Sequence, residues 1–478
     1  MEGKMREYGR FIQGEFENAG DWLEVTDKES GEPFARVRTS GVEELERAIG
    51  GAVAAFPQLS SMPASGRADL IDRLGDVLER RQDELADMIR REAGKPLLLA
   101  KIEAARAVDV ARMTAIAARE VLGEYRDMDG YAQGRGVVNI TRRFPLGPVA
   151  AISPFNFPLN LVMHKVAPAI AAGCPVVHKP ARSTPVSPLL LAECLVEAGL
   201  PAGCYQVLVS EPEVAEGMVT DQRLKVLTFT GSAEVGWHLR SVAGRKKTVL
   251  ELGGNAAVIV EPDADLKRTA RQVAVGAYAF AGQVCISIQR IFVARAIYEE
   301  FKRELVAAIG EHARVGKTSE KAVIVGPLIT AGDADRVEAW VAEALHEGAV
   351  SLTGELKREG NAIHPVLLEN VDDTSKVSCQ EVFGPVAFVA PYDSFEEACE
   401  RVNDSEFGLQ AGVITNDIHK ALYAFEHLEV GGVILGDGPT KRVDHQPYGG
   451  TKMSGEGREG PRFALEHFTE ERVLFIQR

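Results

Sequence analysis

The fold is decided by residues 149–179, VAAISPFNFPLNLVMHKVAPAIAAGCPVVHK. A short β-rich run, VAAIS at 149–153, leads through a proline-flanked turn into a helical stretch near Leu159 to Ala172, and a second β-rich run, PVVHK at 175–179, follows. Outward from there the alternation continues, with a helix near Pro188 to Ala198, then CYQVLVS at 204–210 and VLTFTG at 226–231. Strands alternating with helices between Val149 and Val260 predict a parallel sheet with right-handed crossovers. That architecture is of nucleotide-binding type, and type alone does not establish function.

On the amino-terminal side, apolar residues spaced three and four apart from about Val42 to Leu122 predict helices, with Gly94 and Pro96 stopping one of them. YAQGRGVVNITRRFPLG at 131–147 reads as two short strands joined at Gly134 to Gly136, a hairpin long enough to be an arm. Beyond it a second α/β region runs from about Gly253 to Gly450, with AFVAPYD, LQAGVITN and GGVILGD as strands. The tail RVLFIQR, 472–478, reads as one further strand able to pair with the arm of this or another subunit.

A chain of 478 residues, 45% of them hydrophobic, has material for two or three domains. Its 54 basic and 69 acidic residues give a net charge of −15, which opposes nucleic acid and anionic membranes as general partners. The first residues lack the apolar core of a signal peptide and no apolar run reaches the roughly 18 residues of a membrane span, so a soluble, cytoplasmic protein is expected. Six cysteines in so long a chain make no disulfide framework, and none stands at metal-ligand spacing, so no metal is expected.

Four motifs carry chemistry. Ser153-Pro154-Phe155-Asn156-Phe157-Pro158 follows a strand at its carboxyl end, where open α/β sheets place ligands. Phe229-Thr230-Gly231-Ser232 runs a strand into a glycine turn and a helix start, whose N–H groups can hold phosphate. Glu251-Leu252-Gly253-Gly254 ends an apolar strand in a carboxylate, which is costly to bury unless paired or functional. In Phe280-Ala281-Gly282-Gln283-Val284-Cys285, the cysteine reads either as a small core hydrophobe or as a nucleophile.

Together, in this order, and with Glu381-Val382-Phe383-Gly384-Pro385, Asn403 to Gly412, Pro447 to Gly455 and Gly457-Arg458-Glu459-Gly460, these motifs resemble the aldehyde dehydrogenase superfamily over essentially the whole chain. The resemblance implies an α/β fold with a Rossmann-like, doubly wound dinucleotide-binding domain (1–123 and 144–252). A catalytic domain (253–450) and an oligomerisation arm and tail (124–143 and 451–478) would complete it. It implies NAD or NADP as cofactor, a small-molecule aldehyde as substrate, and a homodimer or homotetramer. By the same resemblance Cys285 is the nucleophile, and the Asn156 amide with the Cys285 N–H holds the oxyanion. Glu251 would activate water against the thioester. Lys179, counted also with the catalytic set, would reach the adenosine ribose; Gly231 and Ser232 the pyrophosphate; Glu381 the nicotinamide ribose; and Phe383 the nicotinamide, with Ser153, Pro154 and Phe155 lining the same groove.

One departure from many NAD-preferring members is Arg182 in HKPAR, where they carry glutamate; arginine suits a 2′-phosphate and weakly favours NADP. In detail the chain looks closest to the branch of lactaldehyde and non-phosphorylating glyceraldehyde-3-phosphate dehydrogenases, whose members favour small, hydroxylated or anionic aldehydes. Arg106, Arg112 and Arg442 are candidates for an anion contact. Two rival readings are a coenzyme A-acylating semialdehyde dehydrogenase, which Glu251 argues against, and a non-catalytic binding protein on the same fold.

Overall fold

The computed structural model describes residues 5–120 and 123–477; Leu122 and Arg478, the ends of the expected helical stretch and tail strand, lie outside the described residues. Five parallel strands, Val149–Ile152, Val176–Lys179, Tyr205–Val207, Val226–Thr230 and Lys247–Glu251, form the centre of an eight-stranded sheet. Numbered in chain order they lie 3-2-1-4-5, the doubly wound order whose direction reverses between the first and fourth strands. Antiparallel edges are added by Arg10–Ile12 and Glu15–Glu17 on one side and by Gly455–Glu456 on the other.

The register aligns the carboxyl ends of these strands. Ile152 pairs with Lys179 and with Phe229, and Thr230 pairs with Glu251. One edge of the sheet therefore carries the Ser153 turn, Lys179, Gly231 and Glu251 in a row. Every residue of the helix Asn160–Ala172 is buried, including His164 and Lys165, so the two charge-capable groups it takes into the core need partners there.

The helical region is four helices, Val42–Ser61, Ala64–Arg80, Gln82–Ala93 and Leu97–Glu120. Gly94 ends the third with φ +67°, and a Cβ there would stand 2.9 Å from Pro327, so the stop needs glycine on both conformational and packing grounds. A second, seven-stranded sheet runs in spatial order Val350–Ser351, Val366–Glu369, Val386–Tyr392, Ile288–Ala294, Ala256–Val260, Gln410–Ile414 and Gly432–Leu435, parallel except at Val350–Ser351. Its own buried apolar cluster is separate from those around the first sheet.

The arm differs from the expected hairpin. Its strands are Tyr125–Asp127 and Val137–Pro145, and the segment expected to supply the first strand, 131–133 ahead of the join at Gly134 to Gly136, instead turns into a short 3-10 helix at Ala132–Gly134. Gly134 lies against Met128, whose carbonyl oxygen would be 1.8 Å from a Cβ, so this segment packs back on itself rather than extending. The tail pairs with the arm of its own chain: Thr469–Gln477 lies antiparallel to Val137–Pro145 from Thr469↔Pro145 to Gln477↔Val137.

Candidate active site

The loop that carries Cys285 is wound against the grain of the backbone. After the helix Leu266–Tyr278, three consecutive residues, Phe280, Ala281 and Gly282, adopt left-handed φ values of 55°, 53° and 70°. Each non-glycine residue so placed costs about 1–2 kcal/mol, and such strain persists where surroundings enforce it. At Gly282 a Cβ would sit 2.1 Å from the Gly384 carbonyl oxygen. Buried Gln283 locks the turn, donating to Phe280 O and Pro327 O at 3.2 and 3.3 Å and accepting from Ile329 N at 2.9 Å.

Cys285 follows, with its sulfur 3.2 Å from the Tyr448 hydroxyl. Burial pushes the thiol up to about 12; the Tyr448 bond and the Arg442 charge pull it down, while Glu381 and Glu251 push it up. Arg442 lies 3.6 Å over the Tyr448 ring and is 7% exposed. Among the other cysteines, Cys174, Cys194, Cys204 and Cys399 are buried and Cys379 is exposed.

The Asn156 turn meets this loop directly. Asn156 Nδ2 donates to Gln283 O at 2.9 Å, which aims the amide at the cysteine loop. A buried ion pair braces the turn from behind. Lys95 Nζ donates to Asn156 O at 2.6 Å and pairs with Glu103, whose Oε1 accepts from Leu159 N at 3.0 Å and Asn160 N at 3.2 Å. Glu103 thereby satisfies two of the orphan donors at the start of the helix Asn160–Ala172. Burial lowers Lys95 to about 8 against the pull of Glu103, and its ammonium stands 3.6 Å over the Phe157 ring.

Glu251 ends its strand buried, with neither carboxylate oxygen hydrogen-bonded to a described residue. Burial raises its pKa well above the carboxylate range, Glu459 adds to the rise, and Arg442, Lys165 and Arg458 oppose it. Glu459 goes the other way: burial would raise it, but Lys165, His164 and Arg442 outweigh that, and Lys165 Nζ bonds it at 2.9 Å. One buried carboxyl therefore holds its proton while its neighbour is ionised. Gly449 backs Glu251, because a Cβ there would be 2.8 Å from its Oε1.

Along the strand ends stand other residues that the resemblance assigns to the cofactor. Ser153 Oγ bonds His178 Nε2 at 2.8 Å, and His178 Nδ1 bonds the Tyr205 hydroxyl at 2.8 Å. Burial and the charges of Lys165 and Lys179 lower His178 to about 3, keeping it neutral. Burial, then Arg182, lowers Lys179. Arg182 itself is ion-paired to Glu211. A Cβ on Gly231 would lie 2.5 Å from the Phe229 ring, and Ser232 caps the helix Ala233–Val242 without a side-chain bond to its first turn. Glu381 Oε1 accepts from Gly254 N at 2.9 Å, and a Cβ on Gly253 would strike its carboxylate at 2.5 Å. Burial raises Glu381 to about 7 against that hydrogen bond. Phe383, at φ 48°, meets Phe155, which follows Pro154, edge-on at 5.8 Å.

Strand ends at the topological switch point, with glycines at Gly231 and Gly253 and a helix that starts after Ser232, are where open α/β sheets bind dinucleotides. Of the three arginines considered for an anion contact, Arg112 is turned elsewhere, bonding Asp72 O at 2.8 Å and Asp76 at 2.5 Å on the helix Ala64–Arg80. Arg106 forks onto Asp444 at 2.8 and 2.6 Å, and only Arg442 reaches the Cys285 centre. Sequence reasoning passed over Lys95, Glu103, Lys165, Gln283 and the Tyr448 hydroxyl. The signal for Glu103 and Lys165 was present: each is a charge on the apolar face of a helix.

The chain matches the aldehyde dehydrogenase family over residues 16–474 and belongs to it. It is an NAD(P)-dependent, non-acylating aldehyde dehydrogenase, oxidising an aldehyde to the carboxylic acid. It is 41% identical to a 3-sulfolactaldehyde dehydrogenase of Priestia megaterium over 475 residues, 99% of this chain and 98% of that protein. Its structure superposes with a TM-score of 0.96 on aldehyde dehydrogenase 21 of Physcomitrella patens in complex with the reaction product succinate, at 40% identity and 99% coverage of each chain. A glyceraldehyde-3-phosphate dehydrogenase of Methanocaldococcus jannaschii complexed with NADP gives a TM-score of 0.92 at 34% identity, covering 97% of this chain and 100% of that one.

Proposed function

We propose that this enzyme acts on a small aldehyde bearing an anionic group, and that Arg442 recognises the anion. The observation that carries this is the placement of Arg442: a buried guanidinium, stacked 3.6 Å over the ring whose hydroxyl touches the Cys285 sulfur, with its Nε making no hydrogen bond among the described residues. Its carboxylate contacts are long, 3.4 Å to Glu459 and 4.0 Å to Asp444, so donor capacity remains for a substrate. The substrates and product named for the relatives agree with this, since sulfolactaldehyde, succinate and glyceraldehyde-3-phosphate all carry an anion.

In this reading Cys285 Sγ bonds to the aldehyde carbon, and the oxyanion so formed is held by the Asn156 amide and the Cys285 N–H. Lys179, Ser232, Gly231, Glu381 and Phe383 would hold NAD(P), with the turn at Ser153, Pro154 and Phe155 beside it; when bound, the cofactor supplies the hydride acceptor. Glu251, once deprotonated, takes a proton from the water that hydrolyses the acyl group on sulfur. Arg182 already donates from Nη1 to Glu211, so a 2′-phosphate would share the guanidinium with that carboxylate, which tempers the preference for NADP.

Residues 1–123 and 144–252 form the cofactor domain in this reading, 253–450 the catalytic domain, and 124–143 with 451–478 the arm and tail of a cytoplasmic homodimer or homotetramer. The exposed apolar face of the tail supports the last point. No helix of the described residues is long and apolar enough to cross a membrane.

The test is an initial-rate screen of short anionic aldehydes and neutral analogues of matched length, with NAD and NADP, in wild type and Arg442→Leu. The variant should lose about 10–100-fold more in kcat/KM on the anionic series than on the neutral one, the worth of a charge-assisted hydrogen bond or two, beyond a loss common to both from removing the cation beside Cys285 and Tyr448. Equal losses on both series would remove Arg442 from recognition.

A further inference from the structure

We propose that the Tyr448 hydroxyl is a catalytic group of this enzyme, donating a hydrogen bond to the Cys285 sulfur that stabilises its thiolate. This rests on Cys285 as the nucleophile. The hydroxyl stands 3.2 Å from the sulfur, and that sulfur is its hydrogen-bond partner among the described residues. A tyrosine 3% exposed must satisfy its hydroxyl inside the protein, so the contact belongs to the packed structure.

The ring has little freedom to move. Tyr448 N donates to Glu459 O at 3.1 Å and Tyr448 O accepts from Glu459 N at 2.6 Å, a two-way backbone clamp. The ring packs with Ile286, Leu409 and Val284, and the Arg442 guanidinium covers it at 3.6 Å. A cation over the face of a phenol draws electron density from the ring, which makes its O–H a better donor.

Direction follows from the two protonation states. A thiolate is an acceptor only, so beside it the phenol must donate, and a bond to an anion is the stronger. Burial and the facing Cys285 and Glu251 raise the phenol well above its ordinary range, with Arg442 opposing, so it keeps its own proton throughout. The thiol proton is released to solvent and no proton passes to the tyrosine. The groups facing the sulfur are Tyr448, Glu381, Arg442 and Glu251, and either carboxyl, once ionised, works against ionisation of the thiol. Tyr448 is the neutral group that favours it, and it does so without adding a charge that would compete for the substrate anion.

The experiment uses the full-length enzyme and Tyr448→Phe, which keeps the ring, the clamp and the cation contact. The rate of iodoacetamide alkylation at Cys285, read by peptide mass spectrometry across pH, should show an apparent pKa raised by about one unit or more in the variant. Turnover on the best aldehyde should fall about tenfold or more in kcat, with KM for the cofactor unchanged. Replacing Tyr448 by 3-fluorotyrosine, a stronger donor of nearly the same shape, should shift alkylation in the opposite direction. Coincident alkylation profiles for wild type and Tyr448→Phe, with kcat within twofold, overturn the proposal. Full turnover in Cys285→Ala would instead show that the nucleophile assignment underneath it is wrong.

Discussion

The active centre and the arm are opposite inversions of ordinary burial. In the centre, Lys95, Glu103, Lys165, Glu251 and Glu459 are charge-capable groups taken out of water. On the tail strand Thr469–Gln477, the consecutive residues Val473, Leu474, Phe475 and Ile476 leave 59, 57, 60 and 40% of their surfaces exposed. Burying unpaired charge costs several kcal/mol, and contiguous exposed apolar surface is rare on monomers. The first inversion is tolerated because each group is bonded or does chemistry; the second points to a partner surface. The difference teaches that departures from the burial rule locate function, and that their sign separates chemistry from assembly.

The comparison is broken most severely at the sulfur. Cys285→Ala should lower kcat by at least about 1,000-fold, as loss of a nucleophile does, while cofactor binding measured by fluorescence quenching stays near wild type. Retention of a tenth of the turnover would refute the role. Next, Glu251→Gln should cost about 10²–10⁴-fold in steady-state turnover and leave a burst of reduced cofactor followed by a stall. Glu251 is raised by burial and Glu459, so it is protonated and inactive as a base at low pH. Wild-type deacylation should therefore rise with pH through a value above the usual carboxylate range, and the glutamine variant should lack that limb. Steady turnover with no acyl-enzyme in a rapid-quench trace would dismiss the assignment.

Lys95→Met probes the brace rather than the chemistry. Leaving Glu103 buried and unpaired should destabilise the fold by about 3–5 kcal/mol and, by loosening the Asn156 turn, cut kcat roughly tenfold with KM for the cofactor unmoved. A melting curve and kinetics together check this, and a stable variant with normal kcat would reduce the pair to packing. The smallest catalytic effect is expected at the arm. Phe475→Asp lies on an exposed edge ribbon, so kcat per chain should stay within about twofold while light scattering shows weaker assembly. A wild-type protein that is already monomeric at micromolar concentration would sink the interface reading.

Much of this molecule was legible in one dimension. The parallel sheet was readable from 149–260 because strand and helix have different periods, and Gly94 marked its helix end because a left-handed stop favours glycine. Asn156, Glu251 and Cys285 were legible as motifs, since each stands where a strand end or glycine turn exposes chemistry. The arm was misplaced by several residues because Gly130, Gly134 and Gly136 permit several turns, and only packing against Met128 selects one.

What the sequence by itself determined was therefore the kind of enzyme, through motifs in the order of a known family, and the candidates for its reacting groups. Only the tertiary structure decided their partners. Asn156 meets Gln283, Lys95 reaches the turn before the helix Asn160–Ala172, and Tyr448 reaches Cys285, each across a long stretch of chain. Arg112 and Arg442 read alike as lone cations, yet one turns from the helix Leu97–Glu120 onto Asp72 and Asp76 and the other lies over the ring of Tyr448 beside Cys285. Periodicity says which face of an element a side chain occupies. It carries no information about what the rest of the chain brings to that face, and in a buried site the partners set each group's protonation and aim.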